Sequence, residues 1–368
     1  MLDLATASAT EAEYRIVDLG TLDGERSEVV AMNANGQVAG HFYTSTGQRH
    51  AFFQSVKQKP ETLGHLVEVV GINARGETAG NCGGNQCIAF RWNSERGMQP
   101  LGHLGGGWSM ATAIGDGGQV VGQSRDSKMH TYGFVWTEAG GMTPLGKLGQ
   151  APARPMAVNA AGVVVGASHD AQGAMRAFRW SAESGMQDLK VPGACSYATA
   201  INAAGQIVGR MRTDAGYHAF LWEPGQQVRD LGTLGGETTI PLALTEAGTV
   251  IGQSSLAEGA SHAFTWSADT GIKDLGSLGG AESCARGVNN LGQVVGWSQT
   301  AEGRRQAFVW TRERGMQPLG SLGGDGCRAL RISDAGVIAG NACIPSGQTH
   351  ACLWKPVPDV ETARLGPR

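Results

Sequence analysis

Catalysis needs groups that move protons and groups that hold charge, and this chain places a few of each at unusual positions. Glu28 and Glu68 are carboxylates able to act as general acid or base, with His41 and His65 as imidazole partners. Toward the other end, Arg286, Arg328 and Arg331 present guanidinium groups suited to holding an anion. Trp108, Tyr197 and Trp297 offer rings that can stack on a sugar or on a partner surface. No G-x-S-x-G, P-loop, H-E-x-x-H or EF-hand string occurs. No cofactor, nucleotide or tightly held metal is therefore expected.

These residues acquire meaning from the elements that carry them, and those elements repeat. The unit reads A-x-x-I-N-x-x-G-Q-V-V-G-x-S, then a loop, then H-A-F-x-W, then G-M-x-D-L-G-x-L-G-G. Its turn glycines are Gly36, Gly76, Gly118, Gly162, Gly205, Gly248, Gly292 and Gly336, 40 to 44 residues apart. Within one copy, Ala200 to Asn202 and Gly205 to Gly209 read as two short strands about a tight turn. Asn bonds to nearby backbone there, and Gly accepts the positive φ. His218 to Trp222 and Val228 to Leu234 supply two more strands. The 57 glycines among 368 residues are turn punctuation, and 41% hydrophobic residues suffice for a large core.

Four strands per copy, with nothing helical between them, predict an all-β, eight-bladed β-propeller with four antiparallel strands per blade. The last copy lacks its fourth strand, and Tyr14-Arg15-Ile16-Val17-Asp18-Leu19-Gly20 matches the missing piece. The N-terminal strand is thus expected to close the last blade, pairing two edges that would otherwise be open. Residues 13–356 form one domain on this reading, flanked by tails at 1–12 and 357–368.

The motif His50-Ala51-Phe52, seen again at His218-Ala219-Phe220 and His262-Ala263-Phe264, resembles the HAF-repeat family over essentially residues 13–356. That resemblance implies a bacterial repeat protein, usually exported, and implies little about activity. The chain itself begins without a basic and apolar leader, which reads as cytoplasmic, or as the mature form of an exported protein if Ala7-Ser8-Ala9 marks a cleavage. The recurrent His and the recurrent third-strand Trp are expected to be structural, because they repeat around the ring and are replaceable.

Seven cysteines leave at least one unpaired. Simple antiparallel counting sets Cys82 against Cys87 and Cys327 against Cys343, two disulfides to expect in an oxidising compartment. No C-x-x-C exists to suggest zinc.

Function in a repeat protein is sought where the copies disagree. Eight positions before each turn glycine, at one end of the innermost strand, stand Glu28, Glu68, Met110, Arg154, Tyr197, Ile240, Cys284 and Arg328. Glu28 and Glu68 sit in copies one and two, Arg286, Arg328 and Arg331 cluster in copies seven and eight, and closure makes these neighbours. The reading is a cofactor-independent enzyme of the lyase, cyclase, isomerase or hydrolase type acting on a small polar or anionic molecule. Its catalytic groups are Glu28, Glu68, His41 and His65, and its substrate is held by Arg286, Arg328 and Arg331. The alternative is a non-catalytic carbohydrate- or protein-binding propeller using Trp108, Tyr197 and Trp297. A net charge of −3 gives no footprint for nucleic acid. No apolar stretch is long enough for a membrane helix, and a monomer is expected.

Overall fold

The computed structural model describes residues 14–22, 24–55, 60–65, 67–83 and 87–357. The tails expected at 1–12 and 357–368 lie outside the described residues, apart from Val357. Among the described residues every regular element is a strand. The strands form six four-stranded sheets and one eight-stranded sheet. The larger sheet spans repeats five and six, which meet through a single parallel pairing of Tyr217 with Thr238.

The first strands of the repeats are Arg26–Met32, Val67–Ile72, Gly105–Ile114, Arg154–Val158, Ser196–Ile201, Gly235–Leu244, Gly279–Val288 and Cys327–Ile332, each at the edge of its sheet except Gly235–Leu244, which joins the two halves of the eight-stranded sheet. Successive first strands touch, and the last touches the first. The sheets therefore stand in a ring with the first strands around the axis. Tyr14–Asp18 pairs antiparallel with Thr349–Pro356, so the start of the chain completes the last sheet.

Side-chain size explains the packing. The third-strand Phe of seven repeats, Phe52 through Phe308, is fully buried. Opposite it across the sheet stands the second-strand glycine, as in Gly209 against Phe220. A Cβ on Gly209 would lie 2.7 Å from the Phe220 ring and 2.2 Å from the Tyr197 carbonyl oxygen. Each apolar cluster joins two neighbouring sheets. Val29, Val38 and Phe52 of repeat one pack with Leu330, Ala339 and Leu353 of repeat eight, which seals the ring. Burial of one such side chain contributes roughly 1.5–3 kcal/mol.

Polar side chains complete the joints. Asn33 donates to the carbonyl of Asn73 (2.9 Å), Asn73 to that of Gly115 (3.2 Å) and Asn202 to that of Thr245 (3.0 Å). The turn Asn thus serves its own turn through Oδ1 and the next repeat through Nδ2. The serine that opens the first strand does likewise. Ser283 accepts from the Ala263 N–H at 2.8 Å and donates to the Gly276 carbonyl.

Candidate functional site

All eight first strands carry a β-bulge at the same place, for example between Val29 and Ala31 and between Ala329 and Arg331. A bulge leaves one residue unpaired and re-aims its side chain. On the innermost strand of a ring, the open edge faces the axis, so the wall of the channel has three levels. The upper level runs from Glu28 to Arg328, eight residues before each turn glycine. The bulge level includes Met156, Leu242 and Arg286. The lower level is Ala31, Gly71, Ala113, Ala157, Ala200, Ala243, Gly287 and Arg331.

Arg331 is the exception at its level, because the other seven copies carry only Ala or Gly. Arg331 is exposed to solvent on a first strand of the ring. Desolvation there, followed by the nearby positive charge of Arg286, pulls its pKa below the ordinary arginine value. Its guanidinium donates, among the described residues, to the adjacent Leu330 carbonyl at 2.8 Å. Among the described residues, none of Arg286, Arg328 and Arg331 forms an ion pair with a carboxylate. The three arginines lie on adjacent strands, Arg328 at the upper level, Arg286 at the bulge and Arg331 below it.

The carboxylates of the same wall are occupied. Glu28 faces Arg26 at 3.8 Å, and Glu68 faces Arg49 at 3.4 Å. Glu28 and His41 are direct cross-strand partners. His41 is buried, and its Nε2 accepts the Val69 N–H of the next sheet at 2.8 Å. Burial, aided by the Arg49 charge, lowers its pKa to about 4, so it is neutral at pH 7. His65 lies on the outer strand of its sheet and meets His50 edge-on, with ring centroids 5.4 Å apart. Neither histidine hydrogen-bonds to Glu28 or Glu68.

Each aromatic candidate has a guanidinium over its ring. Arg125 lies 5.0 Å from the Trp108 centroid, Arg210 5.9 Å from that of Tyr197, and Arg305 4.5 Å from that of Trp297. One ring face is therefore already used, in contacts that contribute roughly 0.5–2 kcal/mol. Arg125 and Arg305 were not apparent in the sequence, because their place over the rings depends on the hairpin register, whereas Arg210 is the direct cross-strand partner of Tyr197.

All seven cysteines are free thiols. The register sets Cys82 against Ile88 and Cys327 against Ala342, one residue away from the expected pairings. In the last repeat the cause is the bulge, which takes up one residue of the first strand between Ala329 and Arg331. In the second repeat the register is fixed by Gly80 standing opposite Phe90. Burial raises the thiol pKa of Cys82, Cys87, Cys284 and Cys327. Cys284, although beside Arg286 and Arg305, is an inert buried thiol.

No protein-family model matches the chain, and no curated protein matches it in sequence. The HAF-repeat resemblance therefore stands on its motif alone. Solved structures do match in shape. Dipeptidyl peptidase 4 of Porphyromonas gingivalis aligns at a TM-score of 0.61 and 12% identity, over 91% of this chain and 58% of that one. The β-propeller domain of the Trilobed protease from Pyrococcus furiosus, described as having an open velcro topology, aligns at 0.54 and 12%, over 80% and 98%. A puromycin-hydrolyzing peptidase of Mycobacterium tuberculosis aligns at 0.51 and 12%, over 90% and 61%. The chain spans about three fifths of the length of the two longer peptidases. At such identity the likeness defines the class of fold, an all-β propeller whose N-terminal strand lies in the last sheet.

Proposed function

We propose that the repeats close into an eight-bladed propeller whose axial channel binds a small anionic molecule through Arg331, Arg286 and Arg328. The observation that carries this reading is Arg331, a guanidinium on a first strand of the ring at a level where every other copy has Ala or Gly, without a carboxylate partner among the described residues. A cation held there at a cost in hydration is compensated when an anion binds. Arg331→Ala restores the residue found in most other copies, so the variant should fold. Isothermal titration with a panel of inorganic and organic anions is expected to show saturable binding by the wild type and at least about tenfold weaker binding by Arg331→Ala. Equal binding by the two proteins, or none by either, overturns the proposal.

A catalytic version of this reading is favoured by the position of Glu28. Its strand lies beside that of Arg328 in the closed ring, so an anion held by the arginines is flanked by a carboxylate able to move a proton. On that version Glu28 or Glu68 is the acid or base, and His41 stabilises the wall that carries them. Glu28→Gln and Glu68→Gln should then abolish turnover while leaving anion binding in place. The glycan-binding alternative has less support, because the rings of Trp108, Tyr197 and Trp297 are already covered on one face.

A further inference from the structure

From the upper level down, the first strands carry arginines in repeats four, seven and eight and exposed apolar side chains at the bulge of repeats four and six. The arginine cluster lies in repeats seven and eight. Four steps round the ring from repeat eight, repeat four presents Met156 at the bulge, 46% exposed, and repeat six presents Leu242 at the same level, 37% exposed. Large apolar side chains that remain exposed inside a channel call for an explanation, because the interior of a ring gives them ready neighbours to pack against.

The backbone holds them there. Both follow a proline, Pro155 and Pro241, and proline occupies this first bulge position in repeats four and six only. Its fixed φ shapes the bulge, and its missing N–H changes the joint with the preceding sheet. In three of the repeats where this residue has an N–H, the preceding repeat supplies a side-chain acceptor: His41 for Val69, Asn81 for Ala111 and Asn341 for Val29. Before the prolines, the same slot holds Gln123, which donates to the Ala153 carbonyl, and Arg210, a donor only.

Resting on the anion-binding reading, we infer that the ligand is an amphipathic organic anion, with one negative head on the arginines and a hydrocarbon or aromatic body against Met156 and Leu242. A purely ionic ligand such as inorganic phosphate would leave Met156 and Leu242 unused. A neutral apolar ligand would leave Arg331 without a counter-ion.

Calorimetric titration with octanoate, acetate, inorganic phosphate and octanol tests this. Thr112 and Thr199 occupy the same bulge level in repeats three and five, so the double variant Met156→Thr/Leu242→Thr stays within what the repeat accommodates. Octanoate is expected to bind the wild type about 100-fold more tightly than acetate, through the burial of its extra methylenes. That preference should fall at least about tenfold in the double variant, and Arg331→Ala should weaken both acids. If acetate or phosphate binds as tightly as octanoate, or the double variant keeps the preference, the amphipathic assignment is overturned and anion binding stands. If octanol matches octanoate, or no anion binds the wild type, both readings are overturned.

Discussion

His41 and Val69 are joined across two sheets by a 2.8 Å hydrogen bond in which the imidazole Nε2 accepts the backbone N–H. The same joint is made by Asn81 with Ala111 and by Asn341 with Val29, each at 2.7 Å. An imidazole can fill this slot only while neutral, because the protonated ring has no lone pair to offer. The folded pKa of about 4 lies below the ordinary value of 6.5. As pH falls below about 6.5, the unfolded chain binds a proton at His41 that the folded chain does not, and stability falls until about pH 4, where the loss levels off. The loss has a ceiling of about 3 kcal/mol. His41→Asn keeps an acceptor and removes the titration. Urea unfolding at pH 7 and pH 5 should therefore show a smaller drop in midpoint for His41→Asn than for the wild type, and an equal drop would count against this account. His41→Ala should cost about 1–3 kcal/mol at pH 7 by leaving the Val69 N–H unpaired.

Much of this architecture was legible in the sequence because the repeat reports on itself. Strand order, the Asn-Gly turn and the closing role of Tyr14–Asp18 all follow from periodic residue types, and the pairing of Tyr14–Asp18 with Thr349–Pro356 agrees with that reading. The bulge was not legible, because an extra residue in one strand leaves no compositional trace within a single copy. It moved Cys327 one residue away from the expected partner. The role of His41 was hidden for another reason. Histidine suggests proton transfer, and only alignment with Asn81 and Asn341, which make the same bond, marks it as an acceptor between sheets. Arg331 was visible as a charge, and its isolation among Ala and Gly needed the register.

Glycine in the second strand is required by contact rather than by φ. A Cβ on Gly209 would meet the Tyr197 carbonyl oxygen at 2.2 Å as well as the Phe220 ring. The same oxygen conflict exists at Gly340, 2.1 Å from the Arg328 carbonyl, where Cys352 replaces the ring. Backbone approach is therefore sufficient to exclude a side chain. Gly209→Ala should destabilise by about 3 kcal/mol or more, and adding Phe220→Leu should recover little of it. Full recovery in the double variant, measured by urea midpoint, would place the conflict in the ring instead.

Ser27, Ser109, Ser196 and Ser283 accept the N–H of the alanine in the H-A-F strand of the preceding sheet, and in repeat eight Cys327 takes this role, its Sγ accepting from Ala307 at 3.1 Å. Sulfur is the weaker acceptor. Ser283→Ala should cost about 1–3 kcal/mol, since the Ala263 N–H is then buried without a partner. Cys327→Ser should be neutral or stabilising by about 0.5–1 kcal/mol, because it restores the serine that four of the other repeats use. A marked loss on Cys327→Ser, read from the thermal midpoint, would show that the site requires the volume of sulfur more than the bond.

Closure of the ring separates two contributions that coincide at one strand. Tyr14–Asp18 pairs along Thr349–Pro356, and Tyr14 and Ile16 pack against the cluster that contains the fully buried Trp354. Asp18 also meets His350 at 2.9 Å, but its carboxylate is 39% exposed, and exposed pairs of this kind contribute about 0–1 kcal/mol. The pairing of the strand should therefore matter far more than the ion pair. Asp18→Ala is expected to lower stability by less than about 1 kcal/mol. Removal of residues 1–18 opens the edge at Thr349–Pro356 and uncovers part of the last sheet. That variant should lose several-fold more stability, shift tryptophan emission to the red and aggregate at lower denaturant concentration than Asp18→Ala. Comparable losses in the two variants would mean that the His350–Asp18 contact, rather than strand pairing, holds the ring closed.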